Sequence, residues 1–165
     1  LPALPPLPGR ASAREYPARP IRVIVPYPAG QGSDLFARRM AERLRDVLRQ
    51  PMVVENRPGA GGNIGAAAVA RSDADGYTLL WGTNATNAAN EFLYANPGFD
   101  PQRDFAPVIG VVRLGMALSV AANAEFTTVQ SAMAAARARP GALSVGVPST
   151  TARAVLEMVR RAARR

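Results

Sequence analysis

Residues 21–49 read IRVIVPYPAGQGSDLFARRMAERLRDVLR, and their pattern changes once along the way. Ile21–Val25 is a short run of branched aliphatics broken by one arginine, the composition of a half-buried strand. Pro26–Ser33 is turn-rich, with Gly30 and Gly32 inside it. From Asp34 to Arg49 the apolar residues Leu35, Phe36, Met40, Leu44, Val47 and Leu48 recur at helical spacing, and Ser33 is the expected N-cap. Strand, glycine loop and helix in that order form the opening half of a βαβ unit.

The same alternation continues downstream. Met52–Glu55 reads as a second strand, followed by a glycine-rich turn and an alanine-rich helix to Arg71. Asp75-Gly76 turns the chain into a third strand, Tyr77–Trp81, and a short helix is expected around Ala85–Ala95. Val108–Val112 and Met116–Ala121 are expected as further strands. A helix over Val129–Arg137, opened by Thr127 or Thr128, precedes a strand Leu143–Val147 and an arginine-rich helix Ala152–Arg165. Strands alternating with helices predict an α/β fold with a parallel sheet covered by helices. No internal repeat is present.

Composition narrows the chemistry. The 165 residues contain no Cys and no His, and all 20 basic residues are arginine. This excludes a thiol nucleophile, imidazole or thiolate metal ligands, disulfides, a Ser-His-Asp triad and a lysine-containing phosphate loop. Carboxylates, hydroxyls, backbone amides and arginine remain, an inventory better suited to binding than to catalysis. The net charge of +8 is unevenly placed. Residues 17–112 carry ten Arg against nine acids, whereas residues 113–165 carry eight Arg against two. A nucleic-acid footprint belongs on the folded surface; the near-neutral body lacks one, and no nucleic-acid partner is expected.

The opening stretch LPALPPLPGRASARE is too proline-rich for a ladder or helix. Ala11-Ser12-Ala13 after an apolar run has the small-x-small form of a signal-peptidase site, so Leu1–Ala13 reads as the tail of an export signal, with a disordered proline-rich leader as the other reading. The expected location is therefore the periplasm. No stretch approaches the roughly 20 apolar residues of a spanning helix.

Four segments offer binding chemistry. In Pro28–Asp34, glycines let backbone approach a ligand, and the helix that follows supplies unpaired N–H groups for an anion, most simply a carboxylate. A plain βα turn is the other reading. Asp34 would repel an anion if it faced one, which leaves it the role of complementing the helix N-terminus. Arg57–Gly65 (RPGAGGNIG) suggests a dinucleotide loop, but the third glycine of that fingerprint falls on Ile64. Close backbone packing at a helix start is the preferred reading. Gly82–Asn87 lies just past the third strand, where ligands of open α/β sheets sit, and Thr83 and Asn84 could fix a polar ligand. Pro148–Thr151 repeats that arrangement with hydroxyls at a helix N-terminus.

The stretches YPARPIRVIVPYPAGQGSDLFARRMAERL, VVENRPGAGGNIGAAAVARSDADGYTLLWGTNAT and LYANPGFDPQRDFAPVIGVV resemble the Bug receptors. These are the TctC-like extracytoplasmic solute-binding proteins of tripartite tricarboxylate transporters. The resemblance runs from about Tyr16 to Val147. It implies a two-lobed, type II-like periplasmic-binding-protein fold that closes on a small carboxylate and hands it to membrane permease subunits. Ala29, Gly30, Gln31, Gly32, Ser33 and Asp34 match the family's first ligand loop, with Gln31 where glycine is common. Thr83 and Asn84 match the loop after the third strand, and Ser149, Thr150 and Thr151 fall where the second lobe presents hydroxyls.

Family members are longer, and the resemblance implies a first lobe over residues 17–112 and part of a second over 113–165, after a leader over 1–16. The second lobe and the return strands of the first are expected to be incomplete, as in a fragment or a truncated gene product. No reaction, cofactor or metal is expected. The alternative is a Rossmann-like nucleotide-binding enzyme domain.

Overall fold

The computed structural model describes residues 16–113 and 115–163. The expected signal remnant lies outside them. Three strands form one parallel sheet: β1 (Ile21–Val25), β2 (Met52–Asn56) and β3 (Thr78–Leu80), in the order β2-β1-β3. Helix α1 (Gly32–Leu48) joins β1 to β2, and α2 (Asn63–Ala70) joins β2 to β3. The crossovers β1-to-β2 and β2-to-β3 run in opposite directions across the sheet, and right-handedness then sends the helices to opposite faces. The register pairs Val23 with Val54 on one side and with Leu79 on the other.

Side-chain alternation along β1 builds the core. Val23 and Val25 pack with Ala37 of α1 and with Trp81, and Met40, Met52 and Val54 close around them. Ile24 points to the other face, the side of α2, whose Ala66 and Ala67 are buried. Arg22, on that same face, stays exposed and pairs with Glu55 at 2.8 Å.

Several boundaries differ from the sequence reading. Helix α1 begins at Gly32, so Gln31 stands at the N-cap and Ser33 is inside the first turn. No side chain caps that end from the N-cap position. The face of α1 on the sheet is Asp34, Ala37 and Ala41, with Met40, Leu44 and Leu48 half-buried. Leu35, Phe36 and Val47 are exposed, because they fall off the 34-37-41-44-48 line. Small residues on that line let the helix axis approach the strands closely. Strand β3 is three residues long rather than five. The helix expected near 85–95 is a π turn over Ala85–Ala89 running into α3 (Asn90–Leu93).

The second part of the chain departs most. Val108–Val112, Met116–Ala121 and Leu143–Val147 are not strands; among the described residues none of them has a ladder partner. Their branched side chains suit a pleated surface, but a strand needs a neighbour for its N–H and C=O groups. The helices expected there do form, as α4 (Val129–Ala138) and α5 (Thr150–Ala163). Thr128, not Thr127, caps α4, in a reciprocal capping box with Ser131. Helix α5 starts at Thr150 rather than Ala152 because Ser149 Oγ accepts from the Ala152 amide at 3.2 Å and closes its first turn.

Candidate functional site

All three strands run the same way, so the loops leaving β1, β2 and β3 meet at one end of the sheet. The chain goes from β1 out to β2 and back past β1 to β3, so the connections after β1 and β3 lead to opposite sides and the gap between those strands is the topological switch point. Tyr27 stands in the turn after β1 and Thr83 after β3. Their hydroxyls share a 2.6 Å hydrogen bond across that gap. Burial raises the Tyr27 phenol above its ordinary value of 10.0, against the lowering effect of the Thr83 hydroxyl, so it stays neutral. Thr83 Oγ1 also accepts from the Ala85 amide at 3.2 Å, and the Thr83 amide donates to Thr86 Oγ1 at 3.0 Å.

The first loop is open to solvent from Pro28 to Gly32. Gly30 takes φ +82°, a conformation that favours glycine, and lets the chain turn into α1. Asp34 is almost fully buried and does not face an open loop. Its Oδ2 accepts from the Gly30 amide at 2.9 Å, and its Oδ1 pairs with Arg38 Nε at 2.9 Å. The Arg38 guanidinium above all, then the Gly30 amide, hold this carboxyl at about 2, so it is ionised at neutral pH. Asp34 thus complements the helix start, as its position suggested, from inside the fold. The N–H groups of Gly32 and Ser33 belong to the first turn of α1 and have no intrahelical acceptor.

The glycine cluster after β2 is packed shut. A β-carbon on Gly62 would lie 2.8 Å from Thr86 Cγ2, and one on Gly65 would lie 2.8 Å from the Arg57 carbonyl oxygen. These glycines bring α2 against the strand ends and leave no cradle for a pyrophosphate. Buried Asn90 holds the same corner together by donating to the Gly61 carbonyl at 3.1 Å and to Asn63 Oδ1 at 2.5 Å.

The start of α5 also reaches this end. A β-carbon on Gly61 would meet Tyr94 Oη at 2.5 Å and Thr150 Oγ1 at 2.7 Å, so the two hydroxyls converge on that backbone. Helix α5 contacts the π turn over Ala85–Ala89. Ser149 is occupied in capping its own helix, while Thr151 Oγ1 is buried without a hydrogen-bond partner. Asn84 is exposed.

The structure therefore brings Thr83, Thr150 and the first loop to one end of the sheet, and it uses Asp34 and Ser149 internally. Tyr27, Asn56, Asn87 and Tyr94 were not singled out in the sequence, yet they stand in the same neighbourhood. Tyr27 and Asn56 each sit at a strand's C-terminal end, and that position was the available signal. Two surface clefts lie elsewhere. One runs between α1 and β2, past Arg38, Ala41, Arg45 and Met52; the other, at the strands' N-terminal ends, is lined by Arg19, Arg22, Arg71 and Tyr77. Among the described residues no group of three or more acidic side chains could hold a metal ion. No helix among them is long and apolar enough to cross a membrane.

The chain is similar to known proteins over most of its length. BugT of Bordetella pertussis is 42% identical over 131 residues, covering 79% of this chain and 40% of that protein. A UPF0065 protein of Bordetella bronchiseptica is 38% identical over 141 residues, covering 82% of this chain and 42% of the relative. The chain thus spans about two fifths of the length of these curated relatives. Among solved structures, an R. palustris protein with adipate superposes with a TM-score of 0.76 at 38% identity, covering 82% of this chain and 46% of that one. MatC from Rhodopseudomonas palustris with bound malate gives 0.55 at 36% identity, covering 56% and 32%. The periplasmic binding protein BugD gives 0.52 at 43% identity, covering 56% and 30%. The nucleotide-binding enzyme considered as an alternative finds no support in these likenesses or in the packed glycine cluster. Residues 36–163 match the model of the tripartite tricarboxylate transporter family receptors, TctC, and the chain belongs to that family.

Proposed function

We propose that this chain carries ligand-gripping elements of a periplasmic receptor that captures a small carboxylated metabolite and catalyses no reaction. Its partners in that role are the permease subunits of a tripartite tricarboxylate-type transporter. Residues 17–112 belong to the first lobe and residues 113–165 to part of the second. The observation that carries the reading is that the first loop, Thr83 and Thr150 lie at the same end of a parallel sheet. The likeness to proteins solved with adipate and malate supports it.

The chemistry follows from the groups on hand. The amides of Gly32 and Ser33 open a 17-residue helix, where unpaired N–H groups and the helix dipole favour an anion. Hydroxyls of Thr83, Thr150 and Thr151 and the amide of Asn84 supply neutral donors. Asp34 and Arg38 neutralise one another, so neither dominates the field at the loop. A carboxylate held by amides and hydroxyls binds by geometry as much as by charge.

Calorimetric titration with adipate, malate and a tricarboxylate tests this reading. Saturable binding of at least one of them is expected. Thr83→Ala is expected to weaken that binding by about 1–3 kcal/mol, since it removes a hydrogen-bonding group from a desolvated contact. Heat of dilution alone across the whole set refutes the reading.

A further inference from the structure

Asn56 ends β2 and lies outside every ligand loop named so far, yet its side chain touches the elements that carry two of them. Its Nδ2 donates to the Tyr27 carbonyl at 3.0 Å and to Asp34 Oδ1 at 3.0 Å. Its Oδ1 accepts from Arg38 Nη2 at 2.8 Å. The Tyr27 contact leads on to Thr83, through the 2.6 Å hydroxyl bond across the switch point. The Asp34 contact leads on to the Gly30 amide, 2.9 Å from Oδ2.

We propose that Asn56 is the positioning residue of the ligand site, one amide that sets the first loop through Asp34 and the third-strand loop through Tyr27. The argument is one of satisfaction. A nearly fully buried carboxylate is retained only if its oxygens have donors, and Asp34 has three: Arg38, Asn56 and the Gly30 N–H. Arg38 is half exposed and neutralises the charge from the solvent side, its Nη2 itself held by Asn56 Oδ1 at 2.8 Å. Asn56 is short, anchored by the last pairing of the β1–β2 ladder, and bonded at both of its polar atoms. With the plane fixed, Oδ2 occupies the Gly30 N–H, and the Gly32 and Ser33 N–H groups are the loop donors left for an anion. Asn56 thereby decides which amides a ligand meets.

The inference rests on the receptor reading for its ligand, and the experiment separates the two. Amide exchange is followed by NMR on the ligand-free full chain, binding of adipate and malate by calorimetry, and folding by the Trp81 melt. In Asn56→Leu the melt stays cooperative, the Gly30 amide exchanges at least tenfold faster, and the Val23 and Val25 amides are unchanged. The dissociation constant for the bound carboxylate rises at least tenfold. Asn56→Asp opposes two carboxylates and loosens Gly30 further. Asn56→Ser keeps a small polar side chain that does not reach Asp34, and it loosens Gly30 as Asn56→Leu does.

Gly30 exchange within twofold of wild type in Asn56→Leu overturns the proposal. If Asn56→Leu does not fold, Asn56→Ser decides: Gly30 exchange at least tenfold faster supports the assignment, and exchange within twofold of wild type overturns it. A wild-type chain that binds neither carboxylate defeats the receptor reading, while Gly30 exchange still judges Asn56.

Discussion

Residues 21–94 and residues 105–163 are written in the same alternation of branched aliphatic runs and amphipathic helices, and they fold to different ends. In the first region every strand finds a neighbour. Among the described residues, all the buried apolar side chains lie between Ile21 and Ala85. In the second region α4 buries none of its residues, and Val108 and Ile109 are 80% and 76% exposed. Local propensity is similar; long-range pairing is not. A helix closes its own hydrogen bonds and so appears in both regions, whereas a strand is completed only by another strand. The first region contains its own partners, and it carries the proposed ligand groups at the ends of β1 and β3, whereas Thr150 and Thr151 belong to the second.

Substitutions in the two regions should therefore differ most in their effect on stability. Ile24 is 1% exposed on the central strand, and Ile24→Ala should destabilise the Trp81-monitored urea transition by about 2–5 kcal/mol through a cavity. Val111→Ala, at a half-exposed unpaired position, should move it by less than about 0.5 kcal/mol. Equal shifts would show that residues 105–113 are packed on the same core, and the contrast would fail.

Acid offers a gentler contrast. Asp34 and Glu157 each titrate at about 2, the former held down chiefly by Arg38 and the latter by Arg160 and then Arg161. Their ordinary values are 3.8 and 4.5. A depressed folded value means a contribution fully present above the ordinary value and lost as pH falls towards the folded one. Both contributions therefore disappear between about pH 4.5 and 2. Asp34 is buried in the first turn of α1, whereas Glu157 lies on the exposed arginine face of α5. The melting temperature read from Trp81 should fall through this window in wild type and in Glu157→Gln, and Asp34→Asn should flatten the fall. A flattened profile in Glu157→Gln would place α5 within the cooperative unit.

Much of this architecture was legible because it is local. The β1–α1–β2 order follows from the switch of hydrophobic period at Pro26–Ser33, and the packed role of Gly62 and Gly65 follows from a glycine fingerprint that fails at Ile64. The strand-end positions of Thr83 and Gly30–Ser33 followed from topology alone. The Asp34 network was not legible: its members are 4, 18 and 22 residues apart, and only the folded sheet brings them together. Ser33 looked like the cap because its type is right; Asp34, one residue on, meets the Gly30 amide instead. Val108–Val112 and Met116–Ala121 misled because side-chain preference states what a strand would be made of without supplying its neighbour.

The account turns on whether the loops at the ends of β1 and β3 hold a carboxylate. Trp81 is the only tryptophan, is nearly buried, and stands two residues before Thr83. Its fluorescence through a thermal melt, with and without millimolar adipate or malate, reads the core and the site together. The account predicts one cooperative transition whose midpoint rises with ligand concentration, as linkage requires of a ligand bound only by the folded state. A transition that stays at the same temperature up to concentrations far above those of any working receptor would contradict it.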